Sequence, residues 1–205
     1  NYVSFYNVPH YRPIIRTTFR VKMLPMGRKY RNSNKEKHQP ASNIRILKKR
    51  FARTSCINIA DCHFEIKEEV IETLKSYVQH EGNEMCGVLT GTQVGKNCYR
   101  ICKISPPCVK AHTRCGCERD ATIANKFIEA DYERSEHTRF YIGEWHTHPE
   151  DKPKPSAVDY NSIKNNYHTA LLVVPLLLMI IVGTQTFHIC VYNGKKFVEV
   201  VPKIV

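Results

Sequence analysis

Two histidines separated by one residue, His146 and His148, are followed by Pro149 and then, after six residues, by Ser156 and Asp159, and this spacing limits the architectures open to the chain. The stretch Arg139 to Trp145 is rich in aromatic and β-branched residues, which predicts a strand. With His146 and His148 at the end of that strand, the two-residue period sends both imidazoles to one face and Thr147 to the other. Beyond Pro153 and Pro155, Ser156 reads as an N-cap opening a helix to about Asn166, with Asp159 at its third position. A fold that uses these residues together must bring a strand end and a helix start side by side.

Two imidazole nitrogens and one carboxylate, with a fourth position left for water, make up the ligand set of a catalytic zinc ion, whereas four protein ligands would close the site. Each fragment alone has a plainer reading. A His-x-His pair can lie on a surface, and Ser156-x-x-Asp159 can be a helix cap serving backbone N–H groups. The full pattern H-x-H-P-x(6)-S-x-x-D favours a metal site at His146, His148 and Asp159, and the capping role can coexist with it.

The rest of the chain reads as mixed α/β. Apolar residues at Ile66, Val70, Ile71, Leu74 and Val78 have helical spacing and predict a helix over 66–80. Cys86 to Gly91 and Asn97 to Ile104 read as strands, followed by a loop with Pro106, Pro107 and several cysteines. Ile123, Ala124, Phe127, Ile128 and Tyr132 form a stripe that predicts a helix within 119–136. Three further strands are expected over 176–182, 186–192 and 196–201, the last two joined by the hairpin signal Asn193-Gly194. Trp145, opposite in parity to the histidines, is expected to pack in the core.

Composition divides the chain. Of 31 Lys and Arg residues, 14 lie between Asn1 and Arg53 with the single acid Glu36, so this stretch carries +13 of the net +12 and the remainder sums to −1. Lacking sustained apolar periodicity and punctuated by prolines, residues 1–56 are expected to form a disordered basic arm. No nucleic-acid motif accompanies it, so nucleic acid is not the expected partner. The longest uncharged apolar run, Ala170 to Val182, is shorter than the roughly 20 residues that span a bilayer and is broken by Pro175, so no membrane span is expected. Nine cysteines without an export signal suggest a reducing cytoplasm rather than a complete disulfide framework. Those at 98, 102, 108, 115 and 117 lack paired C-x-x-C knuckles, leaving a second metal site there the weaker reading beside ordinary thiols.

At the histidine run and at Asn83-Glu84-Met85-Cys86-Gly87-Val88-Leu89-Thr90-Gly91 the chain resembles the JAB/MPN metalloproteases, also called JAMM peptidases, whose signature is an upstream glutamate plus H-x-H-x(7)-S-x-x-D. The resemblance covers roughly residues 60 to 205. It implies an α/β JAB/MPN domain over 57–205, of cytidine-deaminase-like fold, with a mixed central sheet flanked by helices. It further implies one Zn²⁺ on His146, His148 and Asp159, Glu84 as general acid and base, and Ser156 as a hydrogen-bond donor to the oxyanion. Sequence spacing leaves Glu81 and Glu144 as rivals for the base; the resemblance selects Glu84 and leaves Glu144 as an outer or structural acid.

The wording Gly-Glu-Trp-His-Thr-His-Pro-Glu-Asp looks most like compact bacterial JAB peptidases encoded beside E1-like and E2-like enzymes, including those of anti-phage operons. That likeness implies an isopeptidase or peptidase acting on the C-terminus of a ubiquitin-like or similarly conjugated protein, with E1-like and E2-like operon partners. Maturation of a sulfur-carrier or ubiquitin-like precursor is the alternative. A non-catalytic or nucleic-acid-associated protein acting through the basic arm is the third reading.

Overall fold

The computed structural model describes residues 57–205, so the expected basic arm over 1–56 lies outside the described residues. A short turn at Ile59–Asp61, capped by Asn58, leads into β1 (His63–Ile66), α1 (Glu68–Lys75), β2 (Cys86–Gly95) and β3 (Cys98–Ile104). A hairpin of β4 (Val109–Thr113) and β5 (Gly116–Arg119) follows, then α2 (Ala121–Arg134), β6 (Phe140–Thr147) and α3 (Ala157–Thr169). The chain closes with β7 (Leu177–Val182), β8 (Phe187–Tyr192), β9 (Phe197–Glu199) and β10 (Lys203–Ile204). Eight strands form one sheet in the order β10-β1-β3-β2-β6-β7-β8-β9, while β4 and β5 pair apart from it. The sheet is mixed: β1 runs parallel to both β3 and β10, β6 parallel to β7, and the other pairs are antiparallel.

The strand β7 shows why the sheet is covered on both faces. All six of its residues are buried, and alternate side chains enter two different cores. Leu178, Ile180 and Val182 join Val70, Ile71 and Leu74 of α1 on one face. Leu177, Met179 and Ile181 join Ala124 and Ile128 of α2 and Ile163 of α3 on the other.

A register shift between Leu89 and Thr90 sets the facing of β6. Phe140 and Ile142 face the α1 side, as does Trp145, three positions beyond Ile142. Strict alternation forbids that; one extra residue in the pairing restores it, which is what a β-bulge does. The end of β6 thus presents Trp145 and Thr147 to α1, and Glu144 and His146 to α2 and α3. Trp145 is fully buried and stacks on Tyr77 with ring centroids 5.0 Å apart, as its parity predicts.

Three expectations need correction. The first helix is shorter than 66–80, because Ile66 belongs to β1, whose pairing with β3 and β10 claims its backbone. Past Lys75 the chain tightens into i→i−3 bonds, Tyr77 N to Leu74 O and Val78 N to Lys75 O, so Val78 keeps its inward position without extending α1. The cysteine-bearing loop after Pro107 is instead the β4–β5 hairpin, whose polar, mostly exposed strands carry little apolar alternation. Cys117 in that hairpin is not an idle thiol: it is disulfide-bonded to Cys86 at the start of β2. Cys108 is buried with Sγ 3.3 Å from Ser105 Oγ, Cys102 is buried, and Cys115 is exposed. Among the described residues these cysteines enter no group of three metal-competent side chains. A last pairing, β10 with β1, has no counterpart in the expected strands.

The Asn193-Gly194 signal is realised between β8 and β9: Gly194 has φ +87° and Asn193 Oδ1 accepts from the N–H groups of Lys195 and Lys196. Among the described residues no helix is long and apolar enough to cross a membrane.

Gly143, at the centre of β6, has no room for a side chain, since an added Cβ would lie 2.3 Å from the Leu178 carbonyl oxygen on β7. Gly143→Ala is therefore expected to destabilise the domain by about 1 to 3 kcal/mol, the usual range for overpacking. Urea denaturation checks this; an unchanged midpoint would show that β6 and β7 can part without penalty.

Candidate active site

The end of β6 is held on both sides. Thr147 N donates to Met85 O at 2.9 Å, and His148 N donates to Val182 O at 2.9 Å, so extended geometry continues through His148. His146 and His148 therefore share a face, with their Nε2 atoms 3.2 Å apart.

The seven residues between His148 and Ser156 are anchored to the turn that joins β7 and β8. Thr184 N donates to Glu150 O, Thr186 N to Asp151 O, and Thr184 Oγ1 to Asp151 Oδ1. Buried Pro153 packs where Gly183 has no side chain; a Cβ there would lie 2.4 Å from the proline Cδ. The loop delivers Ser156 to the start of α3 with a reciprocal cap: Ser156 Oγ accepts from Asp159 N, and Ser156 N donates to Asp159 Oδ2 at 2.6 Å. Asp159 Oδ1 then lies 3.3 Å from His146 Nε2, and Oδ2 lies 3.7 Å from His148 Nε2. One carboxylate caps the helix and faces both histidines.

These separations fit a small divalent ion. Ligand bonds of about 2.0 to 2.1 Å at tetrahedral angles place neighbouring donor atoms about 3.3 to 3.4 Å apart. The 3.2 Å between the imidazole nitrogens and the 3.3 Å from His146 Nε2 to Asp159 Oδ1 match that spacing, while the 3.7 Å approach to His148 is made by the other carboxylate oxygen, Oδ2. His146, His148 and Asp159 also form the group of metal-competent side chains found among the described residues. Burial works against the charge on Asp159, but the hydrogen bond and charge of His146 and the hydrogen bonds from Ser156 outweigh it and hold the carboxyl down to about 2. Burial keeps the His148 ring below the ordinary histidine value, reinforced by His146, which favours a neutral imidazole able to coordinate.

Of the three candidate acids, Glu84 stands beside this triangle. It is buried, with Oε1 3.8 Å from His148 Nε2. Burial pushes its carboxyl up to about 7, the neighbouring His146 opposing and Asp159 and Glu150 adding to the rise. Its backbone is tied to the hairpin: Glu84 N donates to Thr113 O at 2.8 Å, and His112 Nδ1 lies 3.0 Å from Glu84 O. Glu81 is exposed on the preceding loop. Glu144, although it shares the face of His146, is occupied deeper in the core. Its carboxylate accepts from Tyr141 Oη and Asn166 Nδ2, each at 2.8 Å, and pairs with the largely buried side chain of Arg119. That cluster joins β6, α3 and β5. Arg119 and Asn166 carry no motif signal, and only the fold shows their part in it.

Residues 50–193 match the family model described as prokaryotic homologs of the JAB domain. The mixed sheet, the flanking helices and this match define the class: the chain belongs to the prokaryotic JAB-domain family, with an α/β JAB fold. A Vibrio cholerae protein named CD-NTase/cGAS isopeptidase is 36% identical over 145 residues, spanning 69% of this chain and 87% of that one. An Escherichia coli protein of the same name is 32% identical over 147 residues, spanning 70% and 88% respectively. The fold is also similar to the solution structure of a protein from Desulfitobacterium hafniense, with a TM-score of 0.50 at 18% identity, covering 69% of this chain and 91% of that one.

The depressed Asp159 carboxyl yields a pH dependence. In metal-free protein, its contribution is fully present above the unfolded value of about 3.9 and is lost as pH falls through about 2. Asp159→Asn in chelator-treated protein is expected to lower stability at pH 5 by about 2 kcal/mol and to flatten the acid limb between about pH 4 and 2. Urea denaturation across that range checks it; a variant matching the parent at pH 5 would deny the Asp159 contacts to His146 and Ser156 any net energetic role.

Proposed function

We propose that this chain is a zinc-dependent isopeptidase. It hydrolyses the amide that joins the C-terminus of a ubiquitin-like or similarly conjugated protein to its target, within a bacterial anti-phage pathway. The observation that carries the reading is a buried carboxyl, Glu84, raised to about 7 and placed 3.8 Å from a histidine of a donor triangle with zinc spacing. The name shared by the two relatives, CD-NTase/cGAS isopeptidase, supports a protein substrate of that kind; E1-like and E2-like conjugating enzymes are the partners that this proposal adds. We place the activity in the cytoplasm, where those enzymes would work.

His146, His148 and Asp159 would hold the zinc ion. When bound, zinc supplies Lewis acidity that brings the pKa of water from 15.7 toward about 7. Glu84, titrating near neutrality, accepts a proton from the attacking water and returns it to the departing amine, so one carboxyl serves in both directions. Its poise comes from burial, which disfavours the charged form, set against the nearby imidazole of His146. Ser156 Oγ caps α3 by accepting from Asp159 N, and its hydroxyl, which hydrogen-bonds the Asp159 carboxylate, is the donor that would turn to stabilise the oxyanion. Such donors typically contribute about 2.7 to 4 kcal/mol.

The test uses a CD-NTase joined through its C-terminal carboxylate to the lysine side chain of a labelled peptide, with a linear precursor of the same sequence alongside. The zinc-loaded chain is expected to release the lysine-linked peptide, to lose that activity to a chelator and to regain it with added zinc. Glu84→Gln should lower turnover at least about 100-fold while retaining zinc, and His146→Ala should lose both. Full activity in Glu84→Gln would remove that residue from the mechanism, and cleavage of the linear substrate alone would favour precursor maturation.

A further inference from the structure

Gln79 belongs to no motif, yet it is 2% exposed and every arm of its side-chain amide is engaged. Nε2 donates to Gly82 O at 3.0 Å and to Arg114 O at 3.1 Å, while Oε1 accepts from Thr147 Oγ1 at 3.1 Å. The same Thr147 hydroxyl accepts from Met85 N at 3.0 Å, and Thr147 N donates to Met85 O. These bonds close a circuit through Gln79, Gly82, Met85 and Thr147, and the chain segment it encloses contains Glu84.

The position of Thr147 gives the circuit its meaning. Thr147 lies between His146 and His148 and turns to the α1 side of the sheet, where it is fully buried. One face of the strand end thus presents the donor triangle, and the opposite face grips the segment that bears the acid. Through Arg114 O the same amide also holds the turn of the hairpin whose Thr113 carbonyl receives Glu84 N.

We infer that Gln79 is a positioning residue for Glu84, fixing through Thr147 where the acid stands relative to the ligand-bearing strand. This rests on the reading of Glu84 as the acid–base group. A buried amide that served only packing would affect stability alone. A positioning amide sets an alignment to which turnover is sensitive, since a displacement of about 1 Å can cost about 100-fold.

The experiment compares Gln79→Leu, Thr147→Val, the double variant and Thr147→Ser in the zinc-loaded full chain, using the same lysine-linked CD-NTase substrate. Gln79→Leu and Thr147→Val should each lower kcat about 10- to 100-fold, with KM within about two-fold and one zinc per chain retained. The double variant should lose little more than either single one, because one break already opens the circuit. Thr147→Ser should restore kcat. Hydrogen exchange at the Met85 amide should quicken in Gln79→Leu, although its direct acceptor, Thr147 Oγ1, is still present. Unchanged kcat, strictly additive losses or undiminished Met85 protection in Gln79→Leu would overturn the inference. Should Gln79→Leu fail to fold, equal kcat in Thr147→Val and Thr147→Ser would overturn it instead. Parent-level activity in Glu84→Gln would strike at the reading of Glu84, while Met85 exchange would still decide whether the clamp exists.

Discussion

Three donor atoms from two elements must come within about 3.3 Å of one another before this site can hold an ion, and the surrounding architecture is arranged around that requirement. Two donors ride on a strand end that retains neighbours on both sides, Met85 and Val182. The third rides on the first turn of a helix whose cap uses the same carboxylate that faces the histidines. A loop pinned to the turn at Gly183 sets the distance between strand and helix. Behind the donors, Glu144 binds Arg119, Tyr141 and Asn166, so the ligand strand and the ligand helix share a buried polar anchor. A buried charge pair tolerates little displacement, because separating it leaves a charge without compensation.

The bulge opposite Leu89 and Thr90 connects packing to chemistry. Without it, the parity that buries Phe140 and Ile142 against α1 would turn His146 to the same side and away from Asp159. With it, Trp145 fills the α1 core while the histidines face α3. Glu84 reaches the triangle from β2's leading segment, fastened by hydrogen bonds to the β4–β5 hairpin, with the Cys86–Cys117 disulfide two residues further on. Burial there raises the Glu84 carboxyl to about 7, the range that an acid–base group would need.

Much of this was legible in the residues themselves. His146, His148, Ser156 and Asp159 declare a strand end and a capped helix because period two and cap chemistry are local properties, and both elements occur where the spacing places them. Trp145 was legible as core for the same reason. The β4–β5 hairpin was not, since its strands are stabilised by contacts to Glu84 and Cys86 rather than by apolar alternation. Ile66 is ambiguous because an apolar residue four positions before Val70 suits a helix as well as a strand, and only pairing with distant β3 and β10 decides. Glu144 has the right parity to face the donor triangle; its engagement elsewhere follows from Arg119 and Asn166, remote in sequence and carrying no pattern. Gln79 is invisible for a related reason, as an isolated amide has no period and acquires meaning only through its partners.

X-ray absorption at the zinc edge of the loaded protein tests the donor triangle most directly. A first shell of nitrogen and oxygen at about 2.0 to 2.1 Å, with imidazole scattering from two rings that falls to one in His148→Ala, is the predicted result. Sulfur scattering at about 2.3 Å would instead place the ion on cysteines and contradict the account.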